Sequence, residues 1–247
     1  MKLAVIVLVS AALFLSGCSS SKTRSENEAS HRMAETQVQL GVGYMQKGDL
    51  DIALEKLQRA LVTADDYVPA HSSIAILYAR LGRYADADKH YKRAVALAPD
   101  NGVGYNNYGA FLCDQQRYDE AYVHFNKAAE QRLYKTPALA YENAGLCAMR
   151  EQNIEAAEAA FRRALKINGK LTVSLINMAN VSLQKQRYLQ GRAYIQRFEE
   201  VASHSAETLW LAIEIEQGLG DGARVANLSD MLRSRFPGSV QAGQLTE

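Results

Sequence analysis

Eight side chains in this sequence have the chemistry for metal binding or covalent modification: His31, His71, His90, His124, His204, Cys18, Cys113 and Cys147. The histidines fall in no spacing used by metal-binding helices or knuckles, and neither a nucleophile elbow nor a phosphate-binding glycine loop accompanies them. His71 takes a core-facing place in the pattern described next, so packing is its expected part. The residue types therefore point away from an enzyme, a cofactor, a bound metal and a small-molecule substrate. Cys113 and Cys147 leave two alternatives open. In an oxidising compartment they can pair as a disulfide, or they can serve as two small buried apolar side chains.

What positions those two cysteines is a helical hairpin. In residues 105–131, YNNYGAFLCDQQRYDEAYVHFNKAAEQ, Ala121, Phe125 and Ala128 stand at i, i+4 and i+7 and form one apolar helix face. Tyr105, Tyr108, Gly109 and Leu112 make a matching stripe on the preceding helix, with residues 115–117 as the turn. Stepping from Ala53 to Ala87, Ala121, Ala157 and Gly191 gives intervals of 34, 34, 36 and 34 residues. Four positions further on stand Leu57, Tyr91, Phe125, Phe161 and Ile195, and three beyond those Ala60, Ala94, Ala128, Ala164 and Phe198. The small residue admits a close helix approach, the large one fills the space, and the second small one admits the next hairpin. This register is similar to the tetratricopeptide pattern, whose period is about 34 residues. The expected fold is all-α, a right-handed superhelical solenoid of six such hairpins.

The units are predicted at 34–67, 68–101, 102–135, 138–171, 172–205 and 206–239, with Thr136 and Pro137 as the two extra residues behind the interval of 36. The last unit is degenerate, with Val225, Ser229 and Leu232 at the three key positions, as suits a cap whose outer face meets water. Residues 240–247 read as a C-terminal tail that frays.

Residues 1–17 carry Lys2, an apolar run from Leu3 to Leu15 and a small-residue end, the parts of a secretory signal peptide too short to span a bilayer. Leu15-Ser16-Gly17-Cys18 resembles the bacterial lipobox, which implies cleavage before Cys18 and lipid on that residue. Ser19 in the next place, rather than Asp, favours the outer membrane. Residues 18–33 are then a lipidated cysteine and a polar tether too hydrophilic to bury a core. With the first 17 residues removed, 27 basic and 27 acidic residues remain, and this balance sets nucleic-acid binding aside. Export would place Cys113 and Cys147 where a bridge can form, and the bridge is expected. Their repeat positions differ, so sequence leaves open whether the side chains meet.

Repeat positions 2, 5, 9 and 12 of each first helix point away from the second helices and should line a concave face. The candidates for a partner groove are Val38, Val42, Met45, Ile76, Asn106, Ala110, Glu142, Leu146 and Met149. So many apolar residues on a solvated face would mark a binding surface for an amphipathic helix or extended segment.

Beyond the repeat pattern, Asn106-Asn107-Tyr108-Gly109, Phe111-Leu112-Cys113, Leu133-Tyr134, Glu142-Asn143-Ala144-Gly145-Leu146-Cys147, Leu209-Trp210-Leu211 and Arg235-Phe236-Pro237 occur in that order. This set resembles the type IV pilus biogenesis pilotin lipoproteins. The resemblance implies a lipid-anchored outer-membrane protein facing the periplasm, with the pilus secretin as partner, aiding its localisation and multimerisation and hence twitching motility. The alternative functions for such a build are an adaptor lipoprotein for cell-wall hydrolases and a subunit of the outer-membrane barrel assembly machine.

Overall fold

The structure, a computed structural model, describes residues 17–245, with side chains from residue 25 onward. The signal-peptide residues lie outside the described ones except Gly17. Cys18 falls in the first turn of a helix, and its side chain also lies outside them. The chain forms two compact units that part between Pro99 and Asp100.

The first unit holds α1 (Gly17–Lys47), α2 (Leu50–Thr63), α3 (Val68–Arg80) and α4 (Tyr84–Leu97), paired as two hairpins. The second holds α5 (Gly102–Asp114), α6 (Tyr118–Glu130), α7 (Pro137–Arg150), α8 (Ile154–Ile167), α9 (Thr172–Gln184), α10 (Tyr188–Glu199), α11 (Ala206–Leu219) and α12 (Gly222–Arg235), paired as four hairpins, followed by a short α13 (Val240–Gln244). The protein is thus an all-helical array of six hairpins. Among the described residues no helix is long and apolar enough to cross a membrane.

Local chemistry accounts for the element ends. Asn101, Asn153, Asp221 and Ser239 each accept a hydrogen bond from the backbone N–H three residues on, and Ser205 with Thr208 forms a reciprocal capping box. Every turn inside a hairpin passes through the left-handed region at the same repeat position. Gly48, Gly82 and Gly220 supply it in three hairpins, and Gln116, Gln152 and Gln186 in the other three, with φ of 59°, 63° and 54°.

The core follows the expected register. Ala53, Ala87, Ala121 and Ala157 are fully buried, as are Leu57 and Phe161, and Phe125 is nearly so. The close approach is visible at Gly109 and Gly145. A Cβ on Gly109 would stand 2.9 Å from the Phe125 ring, and one on Gly145 would stand 2.6 Å from the Phe161 ring. Each aromatic therefore packs directly on the backbone of the helix before it.

Two expectations about the ends need correction. The segment read as a polar tether is helical and continuous with the first hairpin, where His31 Nε2 meets Asp66 Oδ1 at 2.7 Å and its ring packs against Tyr67. The tail expected to fray instead forms α13, because Ala242 is buried and Leu245 packs on the cluster around Leu209 and Leu232. Arg233 also donates to the Leu245 carbonyl at 3.2 Å.

Candidate interaction surface

In the first unit, the sequence-predicted groove residues divide by burial. Val38 and Met45 are only 8% and 7% exposed, so they belong to the core and not to an open groove. The cause is that α1 packs against both α2 and α3, which closes over one end of the apolar run. Arg80 Nη1 also donates to the Met45 carbonyl at 3.4 Å. Val42 and Ile76 remain half-buried, with part of each side chain facing out.

In the second unit Asn106, Ala110, Leu146 and Met149 are half-buried. Asn143 Nδ2 donates to Asn106 Oδ1 at 2.9 Å, joining the first helices of neighbouring hairpins. Leu146 and Met149 pack at the edge of the cluster built on Phe161, Leu175 and Met178. Glu142 is not a groove residue, being buried with its carboxylate turned inward. Its Oε2 accepts from the Ser174 backbone N–H at 3.0 Å and from Ser174 Oγ at 2.6 Å. Ser174 lies in the first turn of α9, so Glu142 satisfies an orphan donor where a negative charge also suits the helix dipole.

Sγ of Cys113 and Sγ of Cys147 form a disulfide with the Cα atoms 5.8 Å apart. That separation lies within the ordinary range for a bridge. The different repeat positions of the two cysteines do not prevent the contact, because α5 and α7 are neighbouring first helices.

The repeat pattern did not reveal the ionic ties between hairpins. Glu158 is buried on α8 and receives Lys185 Nζ at 2.6 Å, Arg187 Nη1 at 3.0 Å and Arg162 Nη2 at 2.6 Å. The hydrogen bond from Lys185 is the main cause that holds its carboxyl at about 2, well below the usual carboxylate range. Glu216 is similarly buried and paired with Arg192 and Arg224. Only a structure shows such acids, since each reads in sequence as one more exposed helix carboxylate.

In the first unit His71 Nδ1 and His90 Nδ1 are 2.9 Å apart, and His71 Nε2 is 2.9 Å from the Asp65 carbonyl. A carbonyl only accepts, so His71 Nε2 carries a proton and, in the neutral ring, Nδ1 accepts from His90. Burial, with the neighbouring His71, pushes His90 down to about 4, and burial also lowers His71. This pair packs the hairpin. Among the described residues, no cluster of three or more His, Cys, Asp or Glu side chains could hold a metal ion.

Within each unit the geometry is a scaffold of packed helix pairs whose first helices carry half-buried apolar residues. Residues 32–100, 90–122 and 138–171 match models described as tetratricopeptide repeat, and the chain belongs to the tetratricopeptide-repeat family. It is homologous to the type IV pilus assembly protein PilF of Pseudomonas aeruginosa, with 28% identity over 233 residues, 93% of this chain and 92% of PilF. An uncharacterised protein of Haemophilus influenzae is 29% identical over 163 residues, covering 66% of this chain and 91% of that one. The solved structure of Pseudomonas aeruginosa PilF superposes with a TM-score of 0.74 at 27% identity, covering 88% of this chain and 98% of that chain. PilW, described as a widely conserved type IV pilus biogenesis factor, gives a TM-score of 0.73 at 24% identity, with 87% and 98% covered, and shows the shared fold.

Proposed function

We propose that this protein is an outer-membrane pilotin, anchored through lipid on Cys18 and facing the periplasm, which binds the type IV pilus secretin and promotes its localisation and multimerisation. The observation that carries the proposal is the extent of the similarity to PilF, which spans nearly the whole of both chains. The lipobox-like Leu15-Ser16-Gly17-Cys18 supports the anchor, and a disulfide between Cys113 and Cys147 suits an oxidising periplasm. The half-exposed Val42 and Ile76 are the proposed contact in the first unit, and Asn106, Ala110, Leu146 and Met149 are that in the second.

The test is a deletion strain probed for secretin multimers on a gel that preserves them. Loss of multimers, restored by the wild-type gene and not by Val42→Glu with Ile76→Glu in a folded, lipidated protein, is the expected result. Unchanged multimers in the deletion strain would reject the proposal. Altered cell-wall turnover would point to a hydrolase adaptor, and broad loss of barrel proteins to the assembly machine.

A further inference from the structure

The charges of the second unit are balanced in number but not in place. Each hairpin has a turn edge, where its first helix ends and its second begins, and a junction edge, where the second ends and the next hairpin starts. At the turn edge the cations are paired: Arg117 with Glu120, Arg150 with Asp114, Lys185 and Arg187 with Glu158, and Arg192 with Glu216 and Asp221. At the junction edge Arg132, Lys135, Lys166 and Lys170 are exposed and have no carboxylate within ion-pair distance among the described residues. Lys127, Arg163 and Arg197 join them, each set over a tyrosine ring at 5.7, 5.6 and 5.5 Å. The carboxylates interspersed with them are fewer: Asp100, Glu130, Glu199, Glu200 and Glu207, of which Glu199 is paired with His204 and Arg224. Of the first helices that open onto this edge, α5, α7 and α9 have no acidic residue in the first turn, and α11 has Glu207.

The contacts place these residues together. A Cβ on Gly102, at the start of α5, would lie 2.6 Å from the Tyr134 ring and 3.0 Å from the Ala128 carbonyl near the end of α6. Arg197 on α10 donates to the Gly169 carbonyl in the preceding junction at 3.2 Å. A cleft of about 390 Å³ at the α6–α7 junction is lined by residues 100–103 and 133–136, among them Leu133 and Lys135.

A structural account covers part of this arrangement. Lys127, Lys166 and Arg197 lie in the last turns of their helices, where a cation favours the dipole. Arg132, Lys135 and Lys170 lie in the junction loops beyond those helices, so the dipole gives no reason for them. Nor does it explain the apolar residues on the same edge. Leu133 is 75% exposed, Val103 55% and Ile167 52%, with Leu139 and Val173 exposed beside them. Aliphatic tips among unpaired cations, backed by tyrosines, match the needs of a lipid headgroup region. The aliphatics enter the acyl boundary while the cations meet phosphates. An acidic protein would take the charges but leave the exposed aliphatics, Leu133 in its loop and the others at helix ends, unmatched.

We propose that the junction edge of the second unit is a peripheral membrane contact for an anionic lipid bilayer. This surface meets the predicted concave face at Val103, Leu139 and Val173, which stand at repeat position 2, but its loop residues Arg132, Leu133, Lys135 and Lys170 lie off that face, and it needs no lipid on Cys18, so it holds the second unit against a membrane whether or not the secretin proposal stands. The probe is the chain from residue 18 onward with Cys18→Ala, which contains all thirteen described helices, mixed with vesicles of phosphatidylglycerol and phosphatidylcholine or of phosphatidylcholine alone. Co-sedimentation with the anionic vesicles only is expected, weakening with salt. Lys135→Gln with Lys170→Gln should weaken partitioning roughly fivefold per cation, and Leu133→Ser several-fold more. Arg117→Gln with Arg150→Gln removes the same net charge from the turn edge and should change it less than twofold; circular dichroism checks that all variants fold. Equal losses for the two pairs would show that only net charge matters and overturn the assignment. Retention on immobilised polyglutamate without vesicle binding would assign the edge to an acidic protein instead.

Discussion

Removing the disulfide with Cys113→Ala and Cys147→Ala tests the bond that ties two neighbouring hairpins. The cysteines are 34 residues apart, and the loop-entropy relation gives about 3.8 kcal/mol at 25 °C for a loop of that length. Native strain can only reduce that figure, so a loss of roughly 2 to 4 kcal/mol is expected. Both sulfurs are buried, Cys113 at 5% exposure and Cys147 at 1%, so truncation to Ala adds a small packing loss. Reductant separates the two contributions, because it opens the bridge while leaving both sulfur atoms in place. Urea unfolding of the wild type with and without reductant should show most of the difference, and the variant should not respond to reductant. A reductant-induced loss below about 1 kcal/mol would refute the chain-entropy argument for this loop. Thiol labelling of both cysteines in protein isolated and denatured without reductant would show that no bridge forms.

Three further outcomes are expected. Ala121→Leu should cost about 1 to 3 kcal/mol by overpacking, since Ala121 is fully buried and its carbonyl backs the close approach at Gly109; an unchanged melting temperature would contradict that packing. Gln152→Gly should raise stability by up to about 1 kcal/mol, because a left-handed residue with a Cβ is strained and the glycine penalty offsets only part of it, whereas Gly48→Ala should lower it; both are read by thermal melting. Stability should fall as pH drops from about 6.5, where unfolded histidine titrates, towards 4, because His71 and His90 are held below their ordinary value in the folded chain and the unfolded chain then binds more protons. His90→Phe should flatten that slope, and urea midpoints taken across the range will show whether it does.

The hairpin register was legible in sequence because close helix packing needs a small residue facing a large one, and Ala121 with Phe125 repeats that requirement at fixed spacing. The same logic carried less far at the inner wall. Positions 2, 5, 9 and 12 give the direction in which a side chain leaves its own helix, but burial depends on what neighbouring helices cover. Val38 and Met45 therefore share the pattern of Val42 yet lie inside. Glu142 was misplaced for a related reason: its partner, Ser174, stands 32 residues away in the next hairpin, and periodicity carries no information about which carboxylate reaches a helix start. The tether was misjudged because composition measures the apolar surface a segment can bury. It does not register a helix that continues from a packed neighbour and is tied by His31 to Asp66.

These pairings also narrow what the inner wall of the second unit can offer a partner. Glu142 is committed to Ser174, so this buried carboxylate is not available to bind a cation from outside. Asn106 Oδ1 already accepts from Asn143, so what the half-buried Asn106 side chain has left to offer is its amide N–H groups. An amide donor among apolar side chains suits an extended segment that presents backbone carbonyls better than a helix whose carbonyls are already satisfied. In the first unit the half-exposed Val42 and Ile76 have no hydrogen-bonding side chain, so the contact proposed there is apolar. On the proposed reading, the second-unit contact suits an extended partner segment whose backbone carbonyls are met by Asn106.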